Sequence, residues 1–182
     1  MSFRHKAIYG QTGCGKTWLL KRIAKGLVGY KQKVLVFTAS GDISFAKGCK
    51  ITACEDTLEQ WLGQRDNFGA HVMLDEASVL FDETRKKTHP NIWNLFNMGR
   101  HKGFTGYVAT QLPTHIPRKV RVNCQECYCF RLGDYEAARM VWADYNRLSY
   151  NGRPMWEAIQ NLPDCKALHI IQPDKIAYKS LK

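Results

Sequence analysis

With 182 residues, 45% of them apolar and 24% charged, the chain has the size and usage of one globular domain able to bury a core, which excludes a disordered or fibrous polypeptide and makes a second folded unit unexpected. The 27 lysines and arginines against 16 aspartates and glutamates leave a net charge of +11, which points to an anionic partner, nucleic acid ahead of a merely solvated basic surface. No apolar run approaches the roughly 18 to 20 residues that cross a bilayer, and the start MSFRHKAIYG lacks a signal peptide's apolar stretch, so the chain reads as intracellular, soluble and without a membrane span.

Short apolar, β-rich runs at residues 7–9, 34–37, 72–74, 107–109, 127–132 and 167–171 alternate with helical patterns, which predicts an α/β domain with a mainly parallel sheet flanked by helices. The first run opens into GQTGCGKT, residues 10–17, a full match to the P-loop pattern set between a strand and a helix, the context its chemistry demands. Gly10, Gly13 and Gly15 let the backbone wrap closely with its N–H groups turned inward, and the following helix adds the positive end of its dipole. Gln11, Thr12, Cys14 and Trp18 complete the set of nucleotide-binding positions. Lys16 would reach the β and γ phosphates of ATP, and the Thr17 hydroxyl would take Mg²⁺. Leu19, Leu20, Ile23, Ala24 and Leu27 then keep helical spacing up to the expected breakers Gly26 and Gly29.

Charge is segregated along the chain. Residues 1–41 hold eight cations and no carboxylate, residues 42–83 hold nine carboxylates and three cations, and residues 84–121 hold eight cations and again no carboxylate. Within the acidic block, HVMLDEAS delivers Asp75 and Glu76 at the end of an apolar strand. Asp75 would hold the metal, directly or through water, and Glu76 would orient and deprotonate an attacking water.

Pro90 suits the first turn of a helix whose face is Ile92, Leu95, Phe96 and Gly99 and which ends near Gly103. Arg100 lies at that helix end, in NMGRHKGF, either capping the dipole or reaching a neighbouring subunit's nucleotide as an arginine finger; the finger is favoured, with Arg85, Arg118 and Arg121 as competitors. The run YVATQLP ends a strand in Thr110 and Gln111; in P-loop ATPases with an added strand between the P-loop strand and the acidic strand, a polar residue at this end faces the γ-phosphate and senses its loss, a role that Gln111 fits. Seven cysteines, an odd number, suit reduced thiols. Cys124 and Cys127 have zinc-like spacing, with Cys49 and Cys54 as the conceivable other pair, but Cys127 and Cys129 fall in a strand and read as buried free thiols. Asp134 is placed to cap a helix with Ala138, Val141, Trp142, Tyr145 and Leu148 on its core face. From Gly152 onward a short helix and two more strands are expected in the same sheet, the last, residues 176–179, exposed.

Taken together, GQTGCGKT, HVMLDEAS, GRHKG and ATQLP resemble the HerA/FtsK superfamily of P-loop ATPases, and most of all the compact genome-packaging ATPases of membrane-containing icosahedral viruses. The resemblance spans about residues 3–132. It implies a P-loop NTPase fold of the RecA-like ASCE type; with the short carboxyl-terminal strand extension expected after Gly152 and the length of the chain, one ATPase domain over residues 1–182 is expected. It further implies a homo-oligomeric ring, pentameric or hexameric, that drives double-stranded DNA into a preformed capsid, with vertex proteins of the capsid as further partners and the host cytoplasm or the virion vertex as its place. The superfamily's catalytic lysine falls on Lys16, its metal carboxylate on Asp75, its catalytic glutamate on Glu76, its sensor on Gln111 and its trans-acting arginine on Arg100. Arg118, Lys119 and Arg121, with Arg85, Lys86 and Lys87, are the candidates for facing DNA, through phosphate contacts that read no sequence.

Rival readings are a filamentous-phage assembly ATPase acting on single-stranded DNA, a nucleoside or nucleotide kinase, and a DNA-binding module without catalysis. Asp75, Glu76 and Gln111 suit water better than an organic acceptor, and a complete triphosphate site would be idle in a pure binding module. A GTPase is disfavoured because no Asn-Lys-x-Asp motif occurs.

Overall fold

The computed structural model describes residues 4–81, 89–172 and 175–180. In chain order the elements are β1 (His5–Tyr9), α1 (Lys16–Gly29), β2 (Val34–Thr38), β3 (Lys50–Thr52), α2 (Glu55–Gly63), β4 (His71–Asp75), α3 (Pro90–Met98), β5 (Thr105–Thr110), α4 (Arg118–Arg121), β6 (Cys124–Cys129), α5 (Tyr135–Asp144), the hairpin β7 (Ser149–Tyr150) and β8 (Arg153–Pro154), α6 (Met155–Gln160), β9 (Lys166–Ile171) and β10 (Lys175–Ser180). The strands expected from apolar runs are present, as are the Pro90 helix start and the Asp134 cap, whose carboxylate accepts the Ala137 N–H at 2.7 Å. Gly26 does not break α1: it lies inside the helix, which runs to Gly29 because its apolar face packs on the sheet.

Among the described residues, eight strands pair in the order β10, β9, β6, β1, β5, β4, β2, β3. From β6 to β3 every pairing is parallel, and β9 and β10 add antiparallel strands at the β6 edge. β5, inserted between β1 and β4, is the added strand that the motifs implied. Register brings Tyr9 beside Thr110 and Thr38 beside Asp75, so the carboxyl-terminal ends of β1, β5, β4 and β2 share one edge.

Strands β2 and β5 are buried at every position, as parallel strands covered on both faces must be. Leu19, Leu20 and Ala24 of α1 pack with Ile8, Val36, Met73 and Ala109 on one face. The larger cluster on the other face joins Tyr9, Phe37, Leu74 and Val108 to Leu58, Leu95, Phe96, Val141 and Met155 from α2, α3, α5 and α6. Cys124, Cys127 and Cys129 are buried free thiols there, and among the described residues no group of three or more potential ligands is placed to hold a metal through side chains of His, Cys, Asp and Glu.

Candidate functional site

The loop between β1 and α1 occupies the carboxyl-terminal edge. A Cβ on Gly10 would lie 2.5 Å from Phe130 Cβ and 2.7 Å from Cys14 Sγ, so this position must be bare for the loop to close against β6. Gly13 and Gly15 turn with φ of 78° and 107°, a region that L side chains rarely adopt. Gly15 stands at the cap of α1 without a side chain to satisfy the first N–H groups, and the first turn carries no carboxylate, so the helix presents its positive end to the loop. Lys16 is 5% exposed, and its ammonium donates to the Gly10 carbonyl at 2.9 Å and the Gln11 carbonyl at 3.0 Å, which holds it over the loop. Burial pushes the Cys14 thiol up from its ordinary value, making it a packing residue rather than a reactive thiolate. Trp18 is half exposed on the solvent side of α1, with the Arg22 guanidinium 5.2 Å from its ring centroid.

β4 brings the acidic pair to the same place. Thr17 Oγ1 donates to Asp75 Oδ2 at 2.8 Å across 58 positions of sequence. Asp75 is 3% exposed and its other oxygen, Oδ1, is buried without a hydrogen-bond partner in the protein. Burial raises the Asp75 carboxyl above its ordinary range, and the Thr17 hydrogen bond opposes that rise. A desolvated carboxylate oxygen beside a hydroxyl is a donor set for a hard divalent cation such as Mg²⁺, so these residues fit the metal that the motifs implied. Glu76 follows with φ 56° and ψ 47°, a left-handed conformation that costs a non-glycine residue on the order of 1 kcal/mol or more and turns the chain sharply off the strand. Gln111 extends past Thr110, the partner of Tyr9, and so stands exposed beside the start of the loop.

The cations divide differently. Arg100 is exposed in the turn between α3 and β5, at the amino-terminal edge of the sheet, opposite the glycine loop of its own chain. Its charge is felt by His5, the first residue of β1, which burial, Arg100 and Lys6 together hold down to about 4. Arg118 and Lys119 are exposed on α4, which is tied to α3 by Asn123 Nδ2 donating to Asn97 Oδ1 at 3.0 Å. Arg121 departs from the expectation. It is 7% exposed, its Nε donates to Asp144 Oδ2 at 2.6 Å and its Nη1 to the Ile116 carbonyl at 2.7 Å, so it braces α4 against α5 and is not available to DNA or to a neighbour. One helical turn of RKVR must bury some side chain against the core, and only the fold shows which. Arg85, Lys86 and Lys87 lie outside the described residues.

Sequence reasoning missed β3 and α2, and with α2 the Glu59 carboxylate, which accepts the backbone N–H of Asn91 at 2.8 Å and of Ile92 at 2.9 Å and so caps α3 from another element. The spacing of Leu58, Trp61 and Leu62 was the available signal for α2. No local signal could have marked Glu59 as a cap.

The sequence profile of the Zonular occludens toxin (Zot) family matches residues 27–159, well over half of the chain, beginning beyond the glycine loop. No curated protein sequence matches. Among solved structures, the genome packaging NTPase B204 from Sulfolobus turreted icosahedral virus 2, in complex with AMPPCP, superposes with a TM-score of 0.79 at 16% identity, covering 100% of both chains. The pCW3 conjugation coupling protein TcpA, with ATPgS, gives 0.70 at 16% identity over 97% of this chain and 59% of that one. The N-terminal domain of zonular occludens toxin from Neisseria meningitidis gives 0.52 at 14% identity over 100% and 96%. At these identities the likeness is one of fold, and the fold is the P-loop NTPase fold that the motifs implied.

Proposed function

This chain belongs to the Zonular occludens toxin family, and from that premise and the geometry of its site we propose that it is a Mg²⁺-dependent ATPase that drives double-stranded DNA into a preformed viral capsid as a ring of subunits. The contact that supports hydrolysis most directly is the Thr17 to Asp75 hydrogen bond with the partnerless Asp75 oxygen beside it, since it joins the glycine loop to the acidic strand at one point. Thr17 and Asp75 would hold Mg²⁺, which when bound supplies positive charge to the phosphoryl oxygens. Lys16 and the amino-terminal end of α1 hold the phosphates, Glu76 accepts the proton of the attacking water, and Gln111 faces the terminal phosphate and senses its loss. Arg100 cannot serve its own loop from the far edge of the sheet, a placement that suits donation to the next subunit.

Packaging is carried over from B204, which this chain matches in extent as well as fold. The net charge of +11 supports a nucleic-acid partner, and double-stranded DNA is taken from the likeness to the packaging NTPase. Arg118, Lys119 and the segment holding Arg85, Lys86 and Lys87 are the DNA-facing candidates. Capsid vertex proteins, a pentamer or hexamer, and a place in the host cytoplasm and at the virion vertex belong to the same proposal.

The test is phosphate release by the full chain with Mg²⁺ and ATP. Stimulation by long duplexes, with no response to added nucleosides, is expected. Stimulation by single strands alone would move the protein to the assembly type of motor, nucleoside-dependent ADP release would make it a kinase, and no phosphate release under any condition would overturn the ATPase reading.

A further inference from the structure

The eight large apolar side chains that stand exposed among the described residues gather at the two edges of the parallel sheet. Tyr30, Phe68, Met98 and Val122 follow α1, precede β4, end α3 and precede β6, which puts them at the amino-terminal edge. Trp18, Ile43, Val79 and Tyr135 open α1 or follow β2, β4 and β6, which puts them at the carboxyl-terminal edge, around the glycine loop. Apolar groups left exposed together and rimmed by polar ones mark surfaces that meet another protein.

At the amino-terminal edge a hollow of about 140 Å³ opens between α2 and α3, with Leu62, Leu95 and Phe104 in its wall and Met98, 58% exposed, at its mouth. An apolar cavity of about 150 Å³ takes a benzene ring, so this hollow has room for a single branched aliphatic side chain. Its rim is cationic. Lys102 donates to Asn91 Oδ1 at 3.3 Å and lies 5.3 Å from the Phe68 ring centroid, and Gly99 and Lys102, both in the lining, bound the turn that carries Arg100 and His101. The other edge holds a matching shape. Ile43, 79% exposed, is the most exposed of the eight, and its loop is fixed from below: the Asp42 carboxylate accepts from Lys21 Nζ and from Ser44 N, Lys21 Nζ also donates to Ser44 Oγ, and Phe45 is buried with Leu20 and Ala24 of α1. Lys21 stands one helical turn beyond Thr17, so Ile43 is held beside the glycine loop with a carboxylate next to it. Of the other apolar side chains at that edge, Trp18 and Tyr135 exceed the hollow and Val79 is half covered.

We propose that the hollow between α2 and α3 is a socket for Ile43 of a neighbouring copy of this chain, with Asp42 of that copy facing the cationic rim. The proposal rests on the ring reading and gives it a contact: Arg100 leaves the same turn that lines the socket, and Ile43 stands beside the loop that Arg100 would serve, so seating the one places the other. A knob at one edge and a socket at the opposite edge make a heterologous contact, the kind that closes into rings. Self-association of the full chain with Mg²⁺, ATP and duplex DNA is measured by sedimentation. Ile43→Lys, which sets a cation against Lys102, and Met98→Glu, which sets a carboxylate against Asp42, are each expected to weaken assembly about tenfold. The double variant, in which the two new charges meet across the contact, is expected to regain most of it. Both positions are exposed, so thermal unfolding of the dilute, unassembled chain is expected to keep the parental midpoint. Single variants that assemble as tightly as the parent, or a double variant no better than either single one, would overturn the socket and leave the ring standing. A parent chain that stays monomeric with every ligand would overturn the ring reading, and the socket with it.

Discussion

The two edges of the parallel sheet are built in opposite ways. At the carboxyl-terminal edge the glycine loop, Thr17, Asp75 and Lys16 are joined by hydrogen bonds within one chain, with Lys16 and Asp75 buried and Thr17 half-buried. At the amino-terminal edge Arg100 and His101 stand exposed in the turn before β5. One edge carries the glycine loop proposed to hold the phosphates, and the other presents exposed cations. In the ring proposed above, the cationic edge of one copy would meet the loop of the next, a head-to-tail association. Interfaces of that heterologous kind generate rings when the rotation closes.

The hardest test of this contrast is a pair of variants from opposite edges. Glu76→Gln and Arg100→Ala are each expected to lower ATP turnover about a thousandfold while ATP still binds. Mixing Arg100→Ala with Lys16→Ala subunits should restore part of the turnover, because intact loops would then meet intact arginines. Failure of the mixture would remove Arg100 as a donor to the neighbouring subunit.

Next in size is Arg121, the basic residue that the fold withdrew from the surface. Arg121→Ala leaves Asp144 buried without its partner, and chemical denaturation should show a drop in stability of about 3 to 5 kcal/mol. If stability were unchanged, the brace between α4 and α5 would carry no weight.

His5 probes the cationic edge from inside. Its Nδ1 accepts the Gly106 N–H at 2.9 Å, and burial with Arg100 and Lys6 nearby holds it down to about 4. The folded value lies below the unfolded one, so the contribution is complete above about pH 6.5 and is lost as pH falls toward 4, amounting to about 3 kcal/mol. His5→Asn, whose Oδ1 can accept the same N–H, should flatten the stability of the protein across that window. Denaturation curves at stepped pH give the comparison, and an unchanged slope would show that His5 does not titrate as its surroundings dictate.

The smallest effect is expected at Arg118 and Lys119. Charge reversal at either should leave stability within about 0.5 kcal/mol while lowering the salt dependence of duplex binding by a slope of about 1 for each phosphate no longer neutralised. An unaltered slope would take α4 out of the DNA path.

Much of the fold was readable from residue order. A buried parallel strand needs apolar residues on both faces, so β1, β2, β4 and β5 announced themselves as short apolar runs, and proline at a helix start and aspartate at a cap act within a few residues. β3 was not readable because Lys50, Ile51 and Thr52 form a short edge strand only half-buried by its neighbour β2. The turn of the glycine loop was equally legible, since its glycines, lysine and threonine lie close together in the chain and its shape is set within those few residues.

Arg118 and Arg121 show where local reading stops: they are three residues apart and chemically alike, yet one is exposed and the other is sealed against Asp144. The ion pair of Arg131 with Asp164 makes the same point, because the two residues meet only through the antiparallel return of β9. The placement of the loop after β1 and of the acidic pair at the end of β4 could be read from the sequence by itself, because local geometry is set by a few adjacent dihedral angles. Burial of a charge, the pairing of Thr17 with Asp75 and the walls of the hollow between α2 and α3 depend on which distant segments pack together, and that is settled by the sheet order and the core that holds it.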